Sequence, residues 1–398
     1  MLTVEEALEA ILSRISVLGT ERVDVLGSLG RVLAEPVVSR REIPPWPNSS
    51  MDGYALRAED TGRGAALVVV GRVEAGGLPA RVVGRGEAMR IFTGAPLPEG
   101  ADTVVPQEDV ESTGDRIALR GTLERAAYVR HRGEDVRVGD RVLEPGRVLT
   151  AAEIGLLATL GHGQVRVYRR PRVAILSTGN ELADLGSEPG PGQIPNTNTY
   201  TLMAQVLEAG AEPVSLGVVR DRLEAIEERV RAARDEDVLV SSAGVSVGEL
   251  DLVREALTRA GAELHLWQVS MRPGKPITFG SLGSRPVFGL PGNPVSAMVT
   301  FELFVRPALL KMTGRRRLTR PRVKARALQP VPNPGSRRGY LRVQLEASGD
   351  GLGARLTGEQ GSAILRSMVA ADGLAVVPPD TVVPIGGELE VIQLRELP

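Results

Sequence analysis

The chain has 398 residues, with 48 Lys+Arg against 49 Asp+Glu, no cysteine and three histidines. The missing cysteines exclude disulfide frameworks, thiolate metal sites and cysteine nucleophiles. The near-neutral charge gives no basic footprint for nucleic acid. No apolar run approaches the ~20 residues of a membrane span. His131, His162 and His265 lie far apart without metal-ligand spacing, so any metal would sit on oxygen ligands, which favours Mg²⁺. At roughly 100–200 residues per domain, the length predicts two to four domains. The acidic, amphipathic start MLTVEEALEAILSRI is unlike a signal peptide, so a cytoplasmic location is expected.

Apolar Val4, Ala7, Leu8, Ile11, Leu12 and Ile15 predict a helix over residues 3–17, opened by a Thr3/Glu6 capping box. REIPPWP (41–47) cannot be helix and reads as a linker. Residues 48–140 carry short alternating runs with turns at Gly76-Gly77 and Pro98–Gly100, which predicts an all-β module. AAEIGLLATLG (151–161) is a short helix closed by glycine. From 171 onward strands alternate with helices. Strands are expected at 172–176, 213–218, 238–241, 264–269 and 287–290. Helices are expected around 200–208, 222–233 and 250–260, with one long helix at 295–312. This pattern predicts a parallel sheet covered on both faces. Beyond 315–321 the short strands return as a C-terminal β domain.

Ligands of open parallel sheets bind where strands deliver their C-terminal ends. Here those ends carry STGNE (177–181), Arg220-Asp221, SSAGVSVGELD (241–251) and GLPGNP (289–294). In SSAGVSVG, hydroxyls and glycines (Ser242, Gly244, Ser246, Gly248) precede a helix and suit a phosphate. The same composition also suits an ordinary tight connection. Glu181, Asp221, Glu249 and Asp251 would share that rim, and Mg²⁺ bridging carboxylates and phosphate reconciles their charge with an anionic ligand. Asp221 and Glu249 would equally serve as favourable charges at helix starts. MRPGKP adds Arg272 and Lys275 as cations for phosphate or an oxyanion. In the β module, PNSSMDGYA places Asp52 in a turn, FTGAPLP places Thr93 before a glycine, and EDV adds Asp135. Each of these also reads as plain hairpin chemistry.

Together the stretches NSSMDGYA, IFTGAPLP, RGEDV, STGNEL, IPNTN, SSAGVSVGELD, MRPGKP and GLPGNPVSAMVTFELFVRP resemble the molybdopterin molybdenumtransferase family, which includes the gephyrin E domain. They follow family order over nearly the whole chain. The resemblance implies a multidomain α/β and β fold in an elongated subunit. Residues 1–40 with 141–170 would form a linker domain and 41–140 an inserted β module. Residues 171–318 would be a three-layer α/β molybdopterin-binding domain, and 319–398 a β-barrel-like domain. It implies a homodimer whose active cleft draws on both subunits.

The implied reaction takes adenylylated molybdopterin and molybdate, with Mg²⁺, to molybdenum cofactor and AMP. The family's functional acids fall on Asp52, Asp135, Glu181, Asp221 and Asp251, with Thr93 as its threonine. Glu249 joins Glu181, Asp221 and Asp251 as a candidate metal ligand. The resemblance assigns Pro291, Gly292, Pro294 and Ser296 to the cleft, and Arg337, Arg342 and Ser362 to an anion site. Arg272 stands where the family often has lysine, which keeps the charge and changes the geometry. Implied partners are the pterin substrate, the adenylyltransferase and other cofactor-pathway proteins, without nucleic acid or membrane. Two rivals stay in view: the partner adenylyltransferase, which has no need of MDGYA or TGAPLP, and a non-enzymatic scaffold.

Overall fold

Residues 1–242, 252–348 and 351–396 are described by the structure, a computed structural model. The chain forms two compact units. One comprises Met1–Ala34, Gly146–Thr150 and Gln164–Pro398, and the other Glu35–Pro145 and Ala151–Gly163.

The first unit opens with helix Val4–Leu12, and both halves of the Thr3/Glu6 capping box are present. The helix ends earlier than the predicted residue 17, because Ser13 folds its hydroxyl back onto the Ala10 carbonyl (2.8 Å). Such local bonds compete with helix continuation. Next come the six strands of a sheet: β1 Arg172–Thr178, β2 Glu212–Val219, β3 Val238–Ser242, β4 Glu263–Gln268, β5 Pro276–Leu282 and β6 Arg285–Leu290. Their order is β2-β1-β3-β6-β5-β4. Successive side chains of a strand face opposite sides. Val173, Ile175, Val238 and Val240 therefore enter one core with Leu202 and Val206 of helix Thr197–Glu208. Ala174, Leu176 and Leu239 enter another with Ile226 and Val230 of helix Leu223–Ala232 and Val253 of helix Leu252–Arg259. The result is the three-layer α/β domain expected.

The sheet is mixed, not wholly parallel. β2, β1, β3 and β6 run parallel, while β5 and β4 are antiparallel to their neighbours. The cause is β5, which follows the MRPGKP stretch and is absent from the expected strands. Only Gly283 and Ser284 separate it from β6, and so short a connection permits only an antiparallel hairpin. The predicted helix 295–312 is also broken into α-helix Pro294–Thr300, π-turn Phe301–Val305 and α-helix Arg306–Met312. Pro307 lacks an N–H, and the Arg306 N–H reaches five residues back to Phe301, so the wide turn absorbs the lost donor.

At the C-terminal end, strands Arg338–Ser348, Gly351–Leu356, Arg322–Ala327, Glu388–Gln393 and Gly373–Val377 pair in that order. The last returns to pair with the first, closing a five-stranded barrel around Val343, Ala354, Ala375 and Val391. Closure removes the free edges.

The second unit is built on a six-stranded sheet. Its order is Thr103–Pro106, Gly53–Leu56, Glu87–Ile91, Ala66–Val73, Arg116–Leu119 and Val110–Thr113. Ala55, Met89, Ile91 and Val104 pack one face, and Leu56, Ala88, Val105 and Ile117 the other. Helix Ala151–Thr159 belongs to this unit.

Candidate active site

In the first unit the chain leaves β1 for β2 on one side of it and returns to β3 on the other. The two connecting helices lie on opposite faces. Between the ends of β1 and β3 the strand order reverses, which opens a crevice. The loops there are tied to one another. The Gly179 N–H donates to the Val219 carbonyl (3.1 Å). The Asn180 N–H donates to Asp221 Oδ2 (3.3 Å), and the Asp221 N–H to Asn180 Oδ1 (3.2 Å). Asp221 thus stands beside the loop carrying Glu181, and both carboxylates are exposed. Neither has a cationic partner among the described residues. Nor, among the described residues, do three or more His, Asp or Glu groups converge as a metal cage.

The other side of the crevice is organised by Asn198, which the sequence reading did not single out. Its Nδ2 donates to Ser242 Oγ and to the Gly292 carbonyl, both at 2.7 Å. Its Oδ1 is buried without a partner among the described residues. The end of β3 is thereby joined to the proline loop. Pro291 and Ser296 are buried, Pro294 begins its helix, and Gly292 is exposed. Asn293 Nδ2 donates to Ser362 Oγ (3.1 Å), and the Val295 N–H to the Ser362 carbonyl (3.0 Å). Ser362 of the barrel domain is therefore part of the loop's surroundings.

Cations approach from the same domain. Met271–Arg272 pairs with Arg338 and Gly339 at the start of the long barrel strand, and Arg337 Nη1 donates to the Met271 carbonyl (3.2 Å). The turn behind it needs glycine. Gly274 has φ +106°, and a Cβ there would lie 2.5 Å from Thr300 Oγ1. Lys275 is half-buried, and its carbonyl accepts from the Val269 N–H (2.9 Å). Arg342 is fully buried. Its Nε donates to Ser367 Oγ and its Nη2 to the Gly361 carbonyl, both at 3.0 Å, while Nη1 has no partner among the described residues. Burial, and then the charge of Arg272, push the Arg342 guanidinium down to about 10. Among the described residues no carboxylate pairs with either arginine.

The second unit positions Asp52 and Thr93. Asp52 immediately precedes strand Gly53–Leu56, and Thr93 follows its neighbour Glu87–Ile91. Gly53 allows the close approach, since a Cβ would fall 1.9 Å from the Val105 carbonyl oxygen. Asp52 Oδ1 accepts from the Thr93 N–H (2.8 Å) and from Thr93 Oγ1 (2.7 Å). Those two bonds, and then the charge of Arg90, hold the carboxyl below its ordinary range. Asp135 is exposed in the RGEDV turn, where its N–H donates to the Ile43 carbonyl (2.9 Å).

The structure thus gathers Glu181 with Asp221, and Ser242, Gly292, Ser362, Arg272 and Arg342 around linked loops. Gly244, Ser246, Gly248, Glu249 and Asp251 lie outside the described residues. Asn180, Asn198 and Asn293 were missed as individual site residues. Each lies within a motif stretch (STGNE, IPNTN and GLPGNP), but an uncharged amide gains its role only from the partners the fold brings to it. Among the described residues no helix is long and apolar enough to cross a membrane.

Three family profiles match. They are the MoeA N-terminal region (domain I and II) over residues 2–161, a probable molybdopterin binding domain over 174–311 and the MoeA C-terminal region (domain IV) over 324–394. The chain is 40% identical over 388 residues to a molybdopterin molybdenumtransferase of Nostoc sp., covering 94% of this chain and 89% of that one. It is 37% identical over 324 residues to the molybdopterin molybdenumtransferase of Haemophilus influenzae, covering 81% and 80%. Among solved structures it is similar to a molybdopterin biosynthesis MoeA protein from Pyrococcus horikoshii, with TM-score 0.86, 31% identity and coverage of 99% and 100%.

Proposed function

The chain belongs to the molybdopterin molybdenumtransferase family, and from that membership we propose that it inserts molybdate into adenylylated molybdopterin, releasing AMP with the help of Mg²⁺. Its class follows from the family: it is a transferase of molybdenum cofactor biosynthesis.

The observation that carries the finer reading is Arg342. A fully buried guanidinium with a second arginine nearby and, among the described residues, no partner for Nη1 and no paired acid, is a charge awaiting an anion. Molybdate, a tetrahedral dianion, supplies the missing acceptor oxygens. Arg272, Lys275 and Ser362 would add donors, and Arg337 would brace the turn that bears Arg272. Ser242, Gly292 and the buried Pro291 would shape the crevice for the pterin, with Asn198 locking Ser242 to Gly292. Gly244, Ser246 and Gly248 are proposed for the same substrate on sequence grounds.

The exposed carboxylates of Glu181 and Asp221 are hard oxygen donors without a paired cation, a donor set that fits Mg²⁺. Glu249 and Asp251 are the further candidates. Mg²⁺ held by such residues would supply electrostatic stabilisation to the substrate's phosphates. The chain's own part is to orient the substrates: Asn180 fixes Asp221, and Thr93 fixes Asp52 as an acceptor-only carboxylate. Asp135 is proposed as a further acid of the reaction, and the active form as a homodimer. The dithiolene sulfurs come with the substrate, so a cysteine-free chain meets the chemistry.

The test is direct. Purified protein incubated with adenylylated molybdopterin and molybdate should release AMP and form metal-bearing cofactor, and omission of Mg²⁺ should suppress both. AMP release at the uncatalysed rate, with a correctly folded protein, would refute the reading.

A further inference from the structure

Arg90 sits one strand away from Asp52, in direct register with Tyr54. Its guanidinium lies 4.9 Å from the Tyr54 ring centroid and 5.1 Å from that of Phe92. Tyr54 is two residues after Asp52, and Phe92 immediately precedes Thr93. One cation is therefore held between the two chain segments that bear the hydrogen-bonded pair. The same guanidinium reaches the backbone around Asp52: Nη1 donates to the Gly53 carbonyl (3.3 Å), and Nη2 to Gln107 Oε1. Gln107 in turn donates its N–H to the Asp52 carbonyl (3.0 Å). Arg72 covers the Phe92 ring as well, 5.4 Å from its centroid, but pairs with Glu74. Arg90 has no ion-pair partner among the described residues, so its charge stays available to Asp52.

We propose that Arg90 is a positioning residue for the reaction: it clamps segments 52–54 and 92–93 together and so holds the Asp52–Thr93 pair in its orientation. This rests on the reading that Asp52 serves the reaction. A purely structural filler between two rings has no use for a planar fork aimed at the Gly53 carbonyl and Gln107. A planar fork also differs from an ammonium group in what it can bridge. The stack adds cation–π attraction, which fixes the guanidinium plane.

The experiment uses the full-length enzyme with Arg90→Gln, Arg90→Lys and Asp52→Ala. It reads kcat and KM with adenylylated molybdopterin, thermal melting, and the ¹³C NMR titration of Asp52. Arg90→Gln should lower kcat about 10-fold, equivalent to ~1.4 kcal/mol of barrier. KM should change less than about twofold, in the pattern of an interaction made in the transition state. The Asp52 titration should move to higher pH. Arg90→Lys keeps the charge and loses the fork, so it should restore the titration while recovering only part of kcat. A loss in Arg90→Gln that appears in KM and melting temperature while kcat is unchanged would overturn the inference, since it would mark a purely structural role. So would wild-type kcat in Arg90→Gln alongside an inactive Asp52→Ala. Full activity in Asp52→Ala would instead sink the underlying assignment of Asp52.

Discussion

Arg342→Met replaces a buried cation with an apolar chain of similar length. The hydrogen bonds to Ser367, Gly361 and, weakly, Glu359 are lost. At roughly 1 kcal/mol each, that costs about 2–3 kcal/mol. Against this stands the strain of keeping the charge. A guanidinium held at about 10, well below its usual value, carries a penalty on the order of 3 kcal/mol at neutral pH. The sign is that of a base with a depressed value: the penalty is full below about 10 and relieved only as pH rises above it. The two terms nearly cancel, so the anion-free variant should melt within a few degrees of the wild type. Anion changes the comparison. At 100 times its Kd, molybdate should stabilise the wild type by about 2.7 kcal/mol, and the variant hardly at all. Differential scanning fluorimetry across a molybdate series reads this, with sulfate at equal ionic strength as the control. Equal molybdate-induced shifts in both proteins would refute the assignment of Arg342 to an oxyanion. A collapse of the variant without anion would refute the balance of terms.

Three further outcomes are expected. Thr93→Val keeps the backbone bond to Asp52 and removes the hydroxyl bond, so kcat should fall by ~10-fold, less than for Asp52→Ala. Asp237, mostly buried, accepts from Arg169 Nη1 (2.6 Å) and from the Arg172 N–H (2.9 Å), and the charge-assisted bonds hold it below its ordinary range despite burial. Asp237→Asn should therefore cost about 1–2 kcal/mol in urea denaturation near neutral pH, discounted for the part-exposed Arg169. The difference should persist above the unfolded value near pH 4 and vanish as pH falls through the lower folded one. A constant difference down to pH 2 would contradict the pairing. Light scattering should give close to twice the chain's 42.3 kDa, and a fully active monomer would end the dimer proposal.

Much was determined by the sequence alone, because the determinants are local. The Thr3/Glu6 box forms as its spacing dictates. The period of apolar residues marks β1, β2 and β3 and their helices, and the rule that ligands meet strand ends pointed to Glu181, Asp221, Ser242 and the proline loop. The absence of cysteine alone discards thiol chemistry. Tertiary structure decided what depends on contacts distant in the chain. The antiparallel turn of β5 comes from its short link to β6, and the π-turn at 301–305 comes from Pro307. That Arg342 would be buried, with no counter-charge among the described residues, is invisible in RRGYLRV: Leu341 and Val343 face the barrel core, so Arg342 faces away from it, and it is covered where the distant segment 359–367 brings the Gly361 carbonyl and the Ser367 hydroxyl to its guanidinium. Asn198 matters because Ser242 and Gly292, 44 and 94 residues away, meet its amide. A side chain's type is written in the sequence, but whether its charge is hydrated, paired or stranded is set by which neighbours the fold brings to it, and that fixes its chemistry.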